Sequence, residues 1–108
     1  RVALPLWLAA LMPSVLRAAV VLRGRVVDSL QAPVVGAQVQ LFDVVKSIPF
    51  DFLSTDSRGS FRFRVPRPRV VRLEVRALGR EDFMQEIDLT RAPGEEVNLG
   101  DILLHSRF

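Results

Sequence analysis

The 108-residue chain has no cysteine, one histidine and one lysine. Without cysteine there is no disulfide framework, no thiolate metal site, no cysteine nucleophile and no lipid-carrying cysteine at a cleavage point. His105 has no second histidine to converge with, so neither a histidine metal site nor a hydrolase triad can be assembled around it. It lies beyond the last strand and is expected to be solvated. The acidic pairs Glu81-Asp82 and Glu95-Glu96 lack the spacing of a calcium loop and read as solvated strand starts. Lys46 and Asn98, the only lysine and the only asparagine, invite comparison with an isopeptide pair. Lys46 falls in a polar loop, however, and an unpaired ammonium is costly to bury. Net charge is low as well. Setting aside Arg1 and Arg17, 13 basic residues face 12 acidic ones, a balance of +1. A nucleic-acid binder advertises a larger excess, and none is expected as a partner. No cofactor, metal or catalytic residue is expected.

What is present begins with an apolar start. Val2–Leu16 carries no charge and is interrupted by Pro5 and Pro13. Its fifteen residues fall short of the roughly twenty that span a bilayer. They fit the apolar region of a signal peptide over 1–18, cut after Ala18 or Ala19, ahead of one domain over 19–108. An uncleaved anchor or a buried strand are the other readings, and membrane association is expected only if the leader stays. The expected location is secreted, periplasmic or the cell envelope.

Beyond the leader there is no helical period, which excludes parallel α/β folds. Short alternating segments recur about every ten residues, with turn residues between them. The strongest is Thr55–Val65, TDSRGSFRFRV. Asp56, Ser57 and Gly59 supply a turn, and Phe61, Phe63 and Val65 then alternate with Ser60, Arg62 and Arg64. Strands are predicted at Val20–Asp28, Ala37–Val45, Phe50–Thr55, Ser60–Val65, Val70–Ala77, Glu81–Leu89 and Glu95–Leu104. Lys46–Pro49 is read as a loop and the strand after it as an edge, because proline cannot donate to a ladder. In the last strand the apolar phase slips between Leu99 and Ile102, so a β-bulge is expected at Gly100. The predicted fold class is an all-β, seven-stranded antiparallel β-sandwich.

Several positions together resemble the carboxypeptidase regulatory-like domains. These are Gly24-x-Val26, Asp28, Pro33, Gly36-Ala37-x-Val39-x-Leu41, Thr55-Asp56-x-x-Gly59-x-Phe61-x-Phe63 and Leu73-x-Val75 ahead of Gly79. The resemblance covers about residues 20–104 and implies a prealbumin-like (transthyretin-like), Greek-key sandwich. It also implies a non-catalytic, extracytoplasmic module for binding or scaffolding. The alternative is a detached accessory or sensory domain of an outer-membrane receptor or peptidase. The related hydroxyisourate hydrolases have more than one histidine and an aromatic-Arg-Gly-Ser ending. This chain ends His105-Ser106-Arg107-Phe108 and does not follow them.

One anomaly points toward a partner. Between Arg58 and Arg80 stand eight arginines and one acid, Glu74; between Glu81 and Asp101 stand seven acids and one base, Arg91. Cross-strand pairing within the domain is one account. The other is a basic face that docks an unknown protein or an anionic or carbohydrate partner. Arg62 and Arg64 share a face of their strand, as do Arg72 and Arg76 of the next. If those strands share a sheet, the four form one surface, with Arg67 and Arg69 at its rim.

Overall fold

The computed structural model describes residues 19–92 and 94–108, so the expected leader lies outside the described residues. Seven strands form: β1 Val20–Val27, β2 Gln38–Asp43, β3 Ile48–Ser54, β4 Ser60–Val65, β5 Val70–Arg76, β6 Phe83–Asp88 and β7 Glu96–Leu103. They make two sheets in the orders β4-β1-β7 and β3-β2-β5-β6. Neighbours β2 and β5 are joined only through β3 and β4, a Greek-key connection that passes through the opposite sheet. The all-β sandwich is as the alternation predicts. One pair departs from the antiparallel expectation: β1 and β7 run parallel, while the other four pairs are antiparallel.

Alternation decides which side chains enter the core. Leu22 and Val26 of β1, Val39 and Leu41 of β2, Phe61, Phe63 and Val65 of β4, and Val71, Leu73 and Val75 of β5 are buried between the sheets. Phe61 and Phe63 lie with ring centroids 6.0 Å apart, tilted by 54°. At full burial each large side chain contributes roughly 1.5–3 kcal/mol, so this apolar layer supplies the main drive to fold.

The Thr55–Gly59 turn locks the layer in place. Asp56 Oδ1 accepts from the N–H groups of Arg58 (2.9 Å) and Ser60 (2.8 Å). Buried Thr55 accepts the Ala37 N–H at 2.8 Å and donates to the Val34 carbonyl at 2.6 Å, tying the β1–β2 loop to the same turn. Gly59 has φ +75°, and a Cβ there would stand 2.4 Å from the Val26 carbonyl oxygen. Gly24 lies opposite Phe61 in the β1–β4 register, and a Cβ on it would meet the ring at 2.7 Å. Strands β1 and β4 pack as they do because these two residues lack side chains.

Several boundaries differ from the sequence reading. Strand β3 begins at Ile48, not Phe50, and takes in Pro49, which had been placed in a loop. It is an edge strand, and the ladder to β2 shifts register between Leu41 and Phe42, so a missing N–H is tolerated. Strand β1 stops before Asp28, whose Oδ1 accepts from Leu30 and Ala32 N–H and starts the turn. Strands β2 and β5 are shorter than predicted, ending at Asp43 and Arg76. Strand β6 starts at Phe83 rather than Glu81, and Leu89 leaves it for a 3₁₀ turn over Leu89–Arg91. The bulge at Gly100 is present. Arg23 pairs with Asn98 and Arg25 with Asp101, so β7 holds one extra residue, and Gly100 takes φ +70°.

Phe61→Ala is expected to lower stability by about 3–5 kcal/mol in urea unfolding. Gly24→Ala should also destabilise, because its methyl meets the Phe61 ring. In the double variant that methyl enters space the ring has left, so the combined loss is smaller than the sum. Strictly additive losses would show that the ring does not lie over Gly24.

Candidate functional site

The sandwich divides the four arginines singled out in the sequence. Arg62 and Arg64 lie on β4 and face outward from the β4-β1-β7 sheet; Arg72 and Arg76 lie on β5 and face outward from the other sheet. The expected single surface of four guanidiniums therefore does not form. β4 and β5 are consecutive in the chain, but the link between them crosses from one sheet to the other.

On the β5 side the charges are neutralised locally. Arg72 Nε lies 3.0 Å from Glu74, and its guanidinium stacks 4.5 Å over the Phe42 ring. Its cross-strand neighbour is Glu86, but the bond goes to Glu74 along its own strand. Arg76 reaches Glu74 at 3.6 Å and Asp82 at 3.5 Å. Arg69, expected at a rim, instead bonds the buried Asp43 at 3.2 Å and covers the Phe50 ring at 4.3 Å. The Lys46 N–H is the main influence holding the Asp43 carboxyl below its ordinary value; burial opposes it and Arg69 assists. That cluster closes one end of the sandwich.

On the β4 side the balance is different. Arg62 and Arg64 are exposed, and among the described residues neither has a carboxylate within ion-pair distance. Arg62 stands directly across from Arg23 of β1, a like-charge neighbour. Arg23 pairs with Glu96, and Arg25 with Asp101 at 3.8 Å while bonding the Arg58 carbonyl at 3.0 Å. A depression of about 630 Å³ opens on this side, lined by Arg23, Arg25, Arg62, Asp56, Asn98 and Asp101, with Gly24 and Gly100 among its walls. Gly100, which presents no side chain, and the bulge of β7 make room for it.

Arg23 and Arg25 are the residues that the sequence reading left out of the site. Their outward alternation was visible, but the adjacency of β1 to β4 was not. The remaining candidates stay apart. His105 is exposed. Lys46 and Asn98 are exposed on different elements, with the Asn98 side chain accepting the Gly100 N–H at 2.9 Å, so no isopeptide pair is assembled. Among the described residues no group of three or more His, Cys, Asp or Glu is placed to hold a metal ion.

Asp56 is one of the two acids lining the depression, and its carboxylate is committed to the turn. The Ser60 N–H, then that of Arg58, holds it below the ordinary value. A group depressed in this way adds stability above the unfolded value, near pH 4, and that stability is lost as pH falls through the folded one. Asp56→Asn keeps the turn geometry and is expected to flatten the fall in urea midpoint between about pH 5 and pH 2. An unchanged pH profile would show that the turn does not hold the carboxylate.

Residues 21–104 match the model of the carboxypeptidase regulatory-like domain. No match is found among curated proteins. Among solved structures, the group B streptococcus pilus 2b backbone protein is similar at TM-score 0.64 and 14% identity, over 83% of this chain and 42% of that one. The Bacillus anthracis TIE protein is similar at TM-score 0.66 and 11% identity, over 83% and 17%. Hydroxyquinol 1,2-dioxygenase from Pseudomonas putida DLL-E4 is similar at TM-score 0.63 and 12% identity, over 89% and 58%. The chain thus spans less than two thirds of each of these neighbours. At such identities they share a fold with it and nothing more specific.

Proposed function

We propose that this chain, which belongs to the carboxypeptidase regulatory-like domain family, is a non-catalytic module outside the cytoplasm. It uses the outer face of the β4-β1-β7 sheet to bind an acidic partner. The observation that carries this reading is the contrast between the two sheets. Arg72 and Arg76 are answered by Glu74 and Asp82, whereas among the described residues Arg62 and Arg64 meet no carboxylate, and Arg62 lies directly across from Arg23. Leaving like charges adjacent on a sheet costs free energy. A carboxylate, sulfate or phosphate group settling between Arg62, Arg64 and Arg23 relieves that repulsion and gains forked hydrogen bonds. The depression beside them is broad and open, which suits an extended partner more than a small enclosed ligand. The family match and the apolar Val2–Leu16 stretch support a location outside the cytoplasm. No helix among the described residues is long and apolar enough to cross a membrane.

The test is retention on an immobilised acidic polysaccharide and, separately, on vesicles containing anionic lipid. Arg62→Gln/Arg64→Gln is expected to bind about tenfold more weakly, ~1.4 kcal/mol. Arg72→Gln/Arg76→Gln should bind like the parent, and retention should fall steeply between low and physiological salt. Which matrix retains the parent tells whether sugar acid or lipid phosphate supplies the anion. Equal retention of parent and Arg62→Gln/Arg64→Gln on both would overturn the reading.

A further inference from the structure

Among the described residues each sheet ends in strands paired on one side only, and the four edges are not alike. In the β4-β1-β7 sheet the Val26 N–H donates to the Gly59 carbonyl, which fixes the phase of the β1–β4 ladder. Phe61, Phe63 and Val65 therefore bond to β1, while Arg62 and Arg64 turn their N–H and C=O groups to the free side. This open run is short and bounded. Before it, Asp56 takes both outward groups of Ser60: its N–H donates to the Ser60 carbonyl at 3.1 Å and its Oδ1 accepts the Ser60 N–H at 2.8 Å. After it stands Pro66, which has no N–H.

The other edges suit an added strand less well. In β3, Pro49 interrupts the row of donors, and the outward Phe52 N–H is held by Asp51 at 2.8 Å. In β7 the bulge breaks the repeat, and the Asn98 side chain accepts the Gly100 N–H at 2.9 Å. The Leu89 N–H bonds the Arg69 carbonyl, so β6 turns outward the groups of Met84 and Glu86, beside an acid. Only β4 joins an open backbone to unanswered positive charge. Arg62 faces Arg23 in a pair that is not hydrogen-bonded, the arrangement that brings opposed side chains closest. Arginines placed so guard an edge against neutral and basic strands and attract an acidic one. The depression beside Arg62 is also lined by Leu53 of β3, so the free side of β4 opens toward a half-buried apolar residue of the second sheet.

We propose that the β4 edge takes an extended acidic peptide as an added strand. Its acidic side chains fall at alternate positions, opposite Arg62 and Arg64, and apolar ones stand between them. The inference rests on the acidic-partner reading and names the partner's class, a polypeptide. The outward groups of Arg62 and Arg64 recur every second residue, about 6.8 Å apart, and only another backbone repeats its donors and acceptors at that spacing. Antiparallel addition gives the stronger ladder. In it, the peptide residues opposite Arg62 and Arg64 exchange backbone bonds with them and place their side chains on the same outer face. Carboxylates at those positions meet the two guanidiniums and offset the repulsion from Arg23. The alternate side chains turn inward toward Leu53, with the exposed Asp51 on the same strand, so an apolar residue fits there and a second acid does not.

Hydrogen exchange followed amide by amide tests it. The probe is a capped peptide that alternates glutamate with valine, and a sulfated oligosaccharide serves as a ligand of charge alone. Saturation with the peptide should slow exchange at the Arg62 and Arg64 amides by about tenfold or more, because both become ladder donors. The oligosaccharide should bind the same face and leave these two rates nearly unchanged. A peptide N-methylated at its glutamates keeps its charge but loses the donors that face β4, and should bind about tenfold more weakly. Methylation at the valines, whose N–H groups point away from β4, should leave binding intact. Two results would overturn strand addition while the acidic-partner reading stands. One is binding of both probes that depends on Arg62 and Arg64 yet leaves their amides unprotected. The other is equal binding of the two methylated peptides. If neither probe binds, the acidic-partner reading falls and strand addition falls with it.

Discussion

The rest of the molecule depends on how closely β1 and β4 approach. The Phe61 ring occupies the space where a side chain on Gly24 would be, and the Val26 carbonyl occupies the space of one on Gly59. Neither contact tolerates a Cβ. The turn that delivers β4 to this position is held by Asp56 from within and by Thr55 from the β1–β2 loop. One short stretch therefore sets the strand phase, the aromatic centre of the core and the outward direction of Arg62 and Arg64. The family resemblance concentrates there for the same reason, since those positions are structural before they are functional.

From that geometry follows an uneven surface. Strand β5 sits between β2 and β6, where acids on its own strand and beyond β5 reach its arginines. Strand β4 sits at an edge with only β1 beside it, and β1 presents further arginines. Exposed ion pairs contribute little to stability, typically below about 1 kcal/mol each. Their main consequence here is to decide which face is left with unanswered charge. The charge order in the sequence resolves differently on the two sheets. Cross-strand and within-strand pairing describes the β5 side, and an open basic face describes the β4 side.

Much of the fold was legible because period-2 alternation is a local property. Phe61, Phe63, Leu73 and Val75 could be assigned to the core from their neighbours alone, and the slip at Gly100 announced its own bulge. The site was less legible because strand order is not local. Nothing within SFRFRV or VRLEVR tells which sheet each joins, so Arg62 and Arg72 could not be separated, nor Arg23 brought to Arg62. The parallel pairing of β1 and β7 was hidden for the same reason. The start of β3 was misjudged because an edge strand can accommodate Pro49. The roles of Thr55 and Asp43 went unseen, since a buried polar residue is recognised by the partners that satisfy it.

The central claim is that the two sheet faces are functionally unequal, and an NMR titration of backbone amides tests it most directly. With fragments of a sulfated or uronic-acid polysaccharide as the probe, the account predicts shifts confined to the neighbourhood of Arg23, Arg62, Arg64 and Asn98, while Arg72, Glu74 and Arg76 stay unmoved. Shifts centred on β5, or spread evenly over both sheets, would contradict it.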